Sequence, residues 1–252
     1  MQKLNNKICS YYNFSKNQNF NILFICDHAS NKLPAYVYNL GLNDDNLFSH
    51  IAWDIGAKNV TLKLAKELNA HCILCNFSRL LIDPNRRLSE SDLIVKISGG
   101  IEIPNNSTID KNEMNYRVNS YYIKYHQQVT KVIESLYNTK KKLYIFAIHS
   151  FTKIFNKKKR YHEIGLLWNK DISLMLPILK YLQKQKISVG NNYPYSGYFF
   201  NYTLDNACFK KKIKNLSIEI RNDLICDAKG IKSWSILLKK SIIKSIKKNN
   251  NE

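Results

Sequence analysis

The sequence predicts an α/β protein of three layers, in which helices cover both faces of a mixed, largely parallel central sheet. The first observation is a continuous apolar run at residues 22–26, which is typical of a strand buried on both faces. The second is helical spacing of apolar residues over 51–69, followed by another strand-like run at 72–76. Strand, helix and strand in this order favour a right-handed βαβ unit.

The rest of the chain continues this alternation. Apolar runs predict further strands, and helical periodicity predicts further helices. The strands are expected at 143–148, 164–168, 187–190 and 216–220, and the helices at 112–137, 172–185 and 231–248. Pro177 is expected to distort the helix that contains it.

A chain of 252 residues is long enough to bury the core of one large α/β domain. We therefore expect a single domain over 1–252. Residues 1–20 show weak periodicity and are expected to form a loose N-terminal arm or an edge. Residues 241–252 are expected to be a basic tail in which the last helix frays.

The formal net charge of +20 at pH 7 can indicate binding to nucleic acid or to an anionic membrane. The basic residues, however, occur in short runs at 140–142, 157–160, 210–212 and 239–248, within a chain rich in Lys, Asn, Ile and Tyr throughout. This distribution favours a general compositional bias. We expect no specific nucleic-acid partner and no membrane, with weak, salt-dependent polyanion binding as the alternative.

Four of the six cysteines lie in apolar runs, where a free cysteine behaves as a small hydrophobe. Cys72 and Cys75 form a single C-x-x-C motif on a predicted strand, which is too little to indicate a zinc or redox site. The N-terminus lacks the pattern of a signal peptide, and no apolar run reaches the length of a membrane span. We therefore expect a reduced, cytoplasmic protein.

Two predicted strands end in a histidine, His28 in one case and His149 in the other. The carboxyl ends of parallel strands meet at one edge of a sheet, where ligands gather in α/β folds. Two imidazoles there are suited to hold zinc or another divalent metal, which needs a third protein ligand. Asp54 is the favoured third ligand, and Asn31 is the alternative. A purely structural role, in which both histidines cap strand ends, remains open.

Glu219 lies within the apolar strand predicted at 216–220. An unpaired carboxylate is costly to bury, and burial raises its pKa toward neutrality, as suits a general base. The alternative is an edge strand that turns Glu219 to the surface, where it pairs with Arg221.

Arg79, Arg86 and Arg87 occur in one predicted loop together with Asp83 and Asn85. A guanidinium group binds carboxylates in a bidentate manner that lysine does not reproduce. The loop therefore predicts a pocket for a small anionic substrate. Alternatively, Arg79 or Arg86 pairs with Asp83 and only holds the loop in place.

His50 and Ser150 are further candidates for substrate contacts, because they neighbour Asp54 and His149 in the sequence. We also expect Arg79 or Arg221 to stabilise negative charge that develops on the substrate. A serine nucleophile is disfavoured, because the chain has no G-x-S-x-G motif.

Six blocks of sequence between about residues 20 and 240 resemble, in this order, those of the N-formylglutamate amidohydrolase family. They read Cys26-Asp-His-Ala-Ser-Asn-Lys-Leu-Pro34, His50-Ile-Ala-Trp-Asp-Ile-Gly-Ala57, Phe77-Ser-Arg-Leu-Leu-Ile-Asp-Pro-Asn-Arg86, Ile148-His-Ser-Phe-Thr152, Tyr193-Pro-Tyr-Ser-Gly197 and Ile218-Glu-Ile-Arg-Asn-Asp-Leu-Ile225.

The resemblance implies a fold similar to that of zinc carboxypeptidases and a metal-dependent hydrolase of carbon–nitrogen bonds other than peptide bonds. The reaction of the family converts N-formyl-L-glutamate and water to glutamate and formate, late in histidine breakdown. For this chain, the resemblance implies that His28 and His149 bind zinc and that Glu219 is the general base. It also implies that Asn85 and Arg86 bind a substrate carboxylate.

The chain departs from the family pattern at three positions. Lys153 and Tyr161 stand where the family has proline, and Ala207 stands where a histidine is frequent. These departures leave two alternatives beside N-formylglutamate hydrolysis. One is hydrolysis of another N-acyl amino acid or a glutamyl amide, and the other is a non-catalytic binding protein of the same fold. The sequence does not predict an oligomeric state.

Overall fold

The structure is a computed structural model that describes residues 2–16, 18–208 and 211–251. Within these residues, the central sheet contains eight strands. Parts of the predicted arm, lysine run and tail, namely residues 1, 17, 210 and 252, lie outside the described residues. In chain order, the strands of this sheet are β1 (Gln2–Asn5), β2 (Cys9–Asn13), β3 (Phe20–Cys26), β4 (His71–Cys75), β7 (Lys142–Phe151), β10 (Ile164–Leu167), β11 (Val189–Asn191) and β12 (Lys214–Arg221). Two small hairpins lie outside it, β5 (Ile97–Ser98) with β6 (Ile101–Glu102), and β8 (Ile154–Phe155) with β9 (Lys158–Lys159).

The strands are ordered β1-β2-β4-β3-β7-β12-β10-β11. The four central strands, β4, β3, β7 and β12, are parallel to one another. On one side β2 pairs antiparallel with β4, and on the other β10 pairs antiparallel with β12. This mixed, mostly parallel sheet between two layers of helices confirms the predicted fold class.

Helices cover both faces of the sheet. They are α1 (Asp44–Phe48), α2 (Ala57–Glu67), α3 (Pro104–Ser107), α4 (Lys111–Arg117), α5 (Ile123–Tyr137), α6 (Met175–Lys184), α7 (Gly197–Phe200), α8 (Tyr202–Cys208) and α9 (Ala228–Asn251). On one face, α2, α6 and α9 pack against alternate strand residues such as Phe24, Phe146 and Ile218. On the other face, α5, α8 and the loop after β4 pack against residues such as Ile25 and Ile145. Strands buried on both faces explain the continuous apolar runs.

Three predicted helices have different bounds in the structure. The helix predicted over 51–69 begins only at Ala57, because Gly56 before it adopts a left-handed conformation with φ of 83°. The helix predicted over 112–137 is continuous from α4 to α5 through a π-helical turn at Val118–Tyr122. Pro177 lies in the first turn of α6, where an absent N–H removes no intrahelical hydrogen bond.

At the N-terminal end the edge alternative holds, whereas the prediction for the C-terminal end was wrong. The N-terminal segment is not a loose arm, because β1 pairs with β2 and β2 pairs with β4 at the edge of the central sheet. The C-terminal segment does not fray at 241, because α9 continues to Asn251 and buries Ile242 and Ile246 against the sheet. Among the described residues, no helix is both long enough and apolar enough to cross a membrane.

Gly56 provides a test of how closely the chain is packed beside the loop that carries Asp54. Its φ of 83° disfavours any other residue, and a Cβ atom there would overlap the carbonyl oxygen of Ile225. We expect Gly56→Ala to lower the free energy of unfolding by at least about 2 kcal/mol in chemical denaturation. Gly100→Ala is the matched control, because Gly100 has φ of 81° but nothing within 4 Å of its Cβ position. Equal losses for the two variants would show that close packing at Gly56 contributes nothing.

Candidate active site

The polar residues predicted for the site meet at the carboxyl edge of the parallel strands. His28 follows β3, while His149 lies near the end of β7. Glu219 on β12 is the register partner of His149. The two imidazole rings lie with their centroids 5.1 Å apart. The polar side chains at the ends of three neighbouring parallel strands therefore lie close together, as expected for a ligand site in an α/β sheet.

Asp54 joins the two histidines. Its Oδ2 atom lies 2.9 Å from His149 Nδ1 and 3.3 Å from His28 Nδ1, and all three side chains are buried. The backbone holds the loop in place, since Asp54 N–H donates to His28 O at 2.9 Å. His28, Asp54 and His149, hereafter the His/Asp cluster, offer ligand atoms within 4.8 Å of one another. The alternative ligand, Asn31, instead donates its amide to the carbonyl of Leu47 at 3.0 Å.

The outer nitrogen of each imidazole faces a second carboxylate. His28 Nε2 lies 2.8 Å from Asp83 Oδ1, and His149 Nε2 lies 3.5 Å from Asp27 Oδ2. Such carboxylates orient the rings of metal-binding histidines and increase their basicity. Asp27 was not among the predicted site residues, although an acid placed beside a strand-end histidine is a usable signal. Asp83 was predicted only as a partner for an arginine.

Tyr125 on α5 holds Asp27 in position, because its hydroxyl donates to Asp27 Oδ1 at 2.7 Å. We expect Tyr125→Phe to cost about 1–3 kcal/mol of stability, since it leaves a buried carboxylate oxygen without its donor. We also expect a 10- to 100-fold loss of divalent-cation affinity, measured by competition with a chelator, because Asp27 then orients His149 poorly.

Tyr144→Phe is the control for Tyr125→Phe, since it removes a hydroxyl that donates to Asn250 Oδ1 at 2.8 Å, far from the cluster. An unchanged cation affinity in Tyr125→Phe would contradict the role given to Asp27.

The donor set of the His/Asp cluster fits a divalent cation. Two imidazole nitrogens and one carboxylate oxygen form a ligand set typical of zinc. Asp54 Oδ1 is buried without a hydrogen-bond partner. Although burial opposes it, the carboxylates of Asp27 and Asp54 raise the pKa of His149 well above its usual range. A site that attracts protons onto its histidines has the excess negative charge that a cation would balance.

Glu219 is buried beside the cluster, and its Oε2 atom has no hydrogen-bond partner in the described chain. Burial raises the pKa of Glu219 to about 7. The edge-strand alternative was wrong, because β12 lies between β7 and β10. Arg221 forms its ion pair with Asp223 instead, at 2.7 Å, and so does not join the cluster.

Arg79 and His50 lie at the cluster as predicted. Arg79 binds Asp83 Oδ2 at 2.8 Å and approaches Asp54 Oδ1 at 3.7 Å, so it holds the loop and also brings positive charge to the site. His50 Nδ1 is buried without a hydrogen-bond partner. Burial lowers the pKa of His50 to about 4, which keeps the ring neutral at pH 7.

Ser150 contributes to the site through its backbone. Its N–H donates to Asp54 Oδ2 at 3.3 Å, and its hydroxyl donates to the carbonyl of Ile55 at 2.9 Å. Ser150 therefore helps to hold Asp54, and its predicted substrate contact stays a prediction.

Asn85 and Arg86 are already bonded within the protein. Asn85 donates to Phe200 O at 3.1 Å and accepts from Thr203 N–H at 3.0 Å, so its amide ties the loop to α7 and α8. Arg86 Nε binds Asp92 at 2.7 Å. Since Asp92 is half exposed, this pair is worth about 1 kcal/mol or less, and a substrate carboxylate can replace it.

Arg160 is a residue that the sequence analysis did not assign to the site. It precedes β10, which runs antiparallel to β12, so it lies at the same edge of the sheet as Glu219. The guanidinium lies over the rings of Tyr195, at 4.9 Å, and Phe151, at 5.7 Å. Nη2 donates to the Tyr195 hydroxyl at 3.0 Å, while Nη1 is buried without a partner.

The distribution of unpartnered polar atoms marks this edge of the sheet. Nine buried side-chain nitrogen or oxygen atoms of the described residues lack a hydrogen-bond partner within the chain, and seven belong here. They come from Asp27, His50, Asp54, His149, Thr152, Arg160 and Glu219. Buried polar groups are almost always paired, so their concentration at one place indicates a binding site.

The fold and the site together define an α/β protein with a buried, polar candidate active site at the carboxyl edge of its parallel strands. A family model described as N-formylglutamate amidohydrolase matches residues 20–226. The chain belongs to this family, as the motifs predicted.

Two solved structures are similar over nearly their whole length. The gene product Atu2144 from Agrobacterium tumefaciens has 30% sequence identity and a TM-score of 0.93, with 97% of each chain covered. The N-formylglutamate amidohydrolase from Ralstonia eutropha JMP134 has 16% identity and a TM-score of 0.70, with 98% of this chain and 100% of that chain covered. At 16% identity, the similarity to the second structure shows only that the two proteins share a fold. No curated protein matches the chain.

None of the three departures from the family pattern belongs to the His/Asp cluster. Lys153 is exposed, and Tyr161 is 71% exposed. Ala207 lies on α8, where it packs against the hydrophobic core. None of these three residues contributes one of the unpartnered polar atoms at the site.

Proposed function

We propose that the protein hydrolyses the amide of an N-formyl acidic amino acid such as N-formyl-L-glutamate, with formate and glutamate as products. The proposal also includes dependence on a divalent cation, with zinc as the first candidate. One observation carries it: a buried, unpartnered Glu219 carboxylate stands beside the His/Asp cluster. A carboxylate with a pKa of about 7 can take up a proton and release it again near neutral pH.

Each residue of the site has its own role in the proposed amide hydrolysis. His28, Asp54 and His149 would hold the cation, which supplies Lewis acidity toward water and the amide oxygen. Glu219 accepts a proton from the attacking water and returns it to the leaving nitrogen when the carbon–nitrogen bond breaks. Arg79, which lies near Asp54, would supply positive charge to stabilise the negative charge that develops on the amide oxygen. The neutral ring of His50 is available as a hydrogen-bond partner for the substrate.

The arginines at this edge suit a substrate with two carboxylates. Arg86 lies 5.2 Å over the ring of Phe200, and Arg160 lies 4.9 Å over the ring of Tyr195. The two rings touch, with centroids 5.5 Å apart. The guanidinium groups therefore flank one aromatic pair, and each can bind one carboxylate of N-formylglutamate in bidentate fashion.

We expect Arg160→Gln to raise the KM for N-formylglutamate at least tenfold with little change in kcat. A charged hydrogen bond is worth about 1.5–3 kcal/mol, and binding that is equal in ground and transition states appears in KM. Steady-state kinetics measure both constants. Arg87→Gln is the control, because Arg87 is exposed and pairs only with Glu90 among the described residues. An unchanged KM in Arg160→Gln would remove Arg160 from the substrate pocket.

The proposed function is tested by a hydrolysis screen of the cation-loaded protein. The panel contains N-formyl, N-acetyl and glutamyl forms of acidic and neutral amino acids, with detection of both formate and free amine. We expect the highest kcat/KM for N-formylglutamate. A preference for N-acetyl or glutamyl compounds would identify a different metallohydrolase. No turnover of any compound and no bound cation would identify a binding protein instead.

We also propose a reducing, cytoplasmic environment. All six cysteines are free thiols, and five of them are buried. Cys72 and Cys75 lie buried on β4 within the sheet, where burial raises the pKa of the Cys72 thiol to about 12. These thiols behave as parts of the core.

A further inference from the structure

Two of the lysine runs meet in space at the amino edge of the sheet. The first run joins α5 to β7, and the second precedes β12, the parallel neighbour of β7. Together they line a cavity of about 500 Å³, hereafter the lysine cavity. Its basic residues are Lys140, Lys141, Lys142, Lys211, Lys212 and Lys214. In the sequence these runs are far apart and indicate only a compositional bias, because nothing local places them side by side.

The lysine cavity has a large local excess of positive charge. No acidic residue lines it among the described residues, and Glu134 approaches only from outside, at 3.3 Å from Lys211 Nζ. Lys142 Nζ donates to Asn249 O at 3.2 Å, and Lys141 Nζ donates to Gln18 O at 2.7 Å. These contacts use neutral acceptors and leave the charge uncompensated. A concave surface of one charge concentrates counter-ions.

Two of the six ammonium groups are free to bind a ligand. The Nζ atoms of Lys140 and Lys212 have no hydrogen-bond or ion-pair partner in the described part of the chain, and both residues are exposed at the cavity. Each has a positive φ, of 60° and 50°, so each lies at a tight turn immediately before its strand. The turns place both side chains at the cavity from neighbouring strands.

The lysine cavity is separate from the candidate active site. Lys142 begins β7, and His149 lies seven residues later on the same strand, a span of about 23 Å at the rise of a β-strand. The two sites therefore occupy opposite edges of the sheet, and a ligand at one does not contact the other.

We propose that the lysine cavity binds a small anion with several phosphate groups. Its volume lies within the range of small-molecule sites, and six ammonium groups match a compact, multiply charged ligand. Tyr137 and Tyr144 line it as well, so part of its wall is aromatic. These lysines surround a single cavity of about 500 Å³, whereas nucleic acid is bound along extended basic grooves. This proposal does not depend on the proposed hydrolysis.

The probe is inorganic tripolyphosphate. Its binding to the full chain is measured by isothermal titration calorimetry at low and at physiological salt. We expect saturable binding of one anion per chain that weakens as salt rises. The double variant Lys140→Asn, Lys212→Asn should bind at least tenfold more weakly. Asparagine tolerates a positive φ, so the turns are retained, and an unchanged melting temperature checks this.

The matched control is the double variant Lys157→Asn, Lys186→Asn. These lysines also have positive φ, of 62° and 60°, and they are exposed and do not line the cavity. Both double variants lose the same charge, so a loss of binding confined to the cavity variant supports the proposal. Equal weakening in both variants would overturn it, because only overall charge would matter. Binding of long RNA without saturable binding of tripolyphosphate would overturn it too.

Discussion

Glu219→Gln is expected to lower kcat for N-formylglutamate by about 10²- to 10⁴-fold while the protein keeps its fold and its cation. Glutamine has nearly the same shape as glutamate but cannot accept the proton of the attacking water. The buried Oε2 atom of Glu219 has no partner within the described chain, so the replacement breaks no internal hydrogen bond at that atom. The replacement should therefore lower kcat and leave the fold intact.

Steady-state kinetics on samples of equal metal content measure this effect. Glu102→Gln is the matched control, because Glu102 is exposed on the small β5–β6 hairpin and should keep full activity after the same chemical change. Turnover at the wild-type rate in Glu219→Gln would refute Glu219 as the general base. A parallel loss of bound metal would instead mean that Glu219 supports the cation site.

The double variant His28→Ala, His149→Ala is expected to lose its tightly bound divalent cation and all measurable turnover. It removes both nitrogen donors of the His/Asp cluster and leaves one carboxylate, which cannot hold zinc against water and buffer. Elemental analysis after dialysis against a weak chelator measures the retained metal. Zinc retained at one equivalent would place the metal elsewhere in the chain.

Loss of two buried histidines can also weaken the fold, so Asp54→Asn provides a milder version of the same test. It preserves side-chain volume but removes the charge that lies 2.9 Å from His149. We expect much weaker metal binding with a retained circular dichroism spectrum. His162→Ala is the control for both variants, because His162 contacts Ser188 away from the cluster.

The sequence alone predicted most of the sheet and the centre of the site. The apolar runs before His28 and His149 became β3 and β7, because a strand buried on both faces needs apolar residues at every position. The carboxyl ends of parallel strands share one edge, which is why two distant histidines could be expected to meet. Asp54 was favoured over Asn31, and the geometry places it between the histidines.

Other features depend on contacts between segments that carry no local signal. An edge was only one of two alternatives for the segment that forms β1 and β2, and the burial of the end of α9 was missed, because polar edge strands and basic helices give little local sign of their packing partners. Arg86 was expected to bind a substrate carboxylate or to pair with Asp83, yet Asp92 pairs with it across a turn. Arg160 was overlooked because only the antiparallel direction of β10 brings it to the site.

For this protein, the sequence determined which strands are central and which polar groups stand at their ends, since apolar runs and ionisable side chains are properties of short segments. The tertiary structure decided which charges are compensated. It placed Asp27 and Asp83 behind the histidines, left Glu219 and Arg160 with unpartnered buried atoms, and joined two lysine runs into one cavity. Electrostatic interaction depends on distance through space, and residues far apart in the chain become neighbours only in the fold.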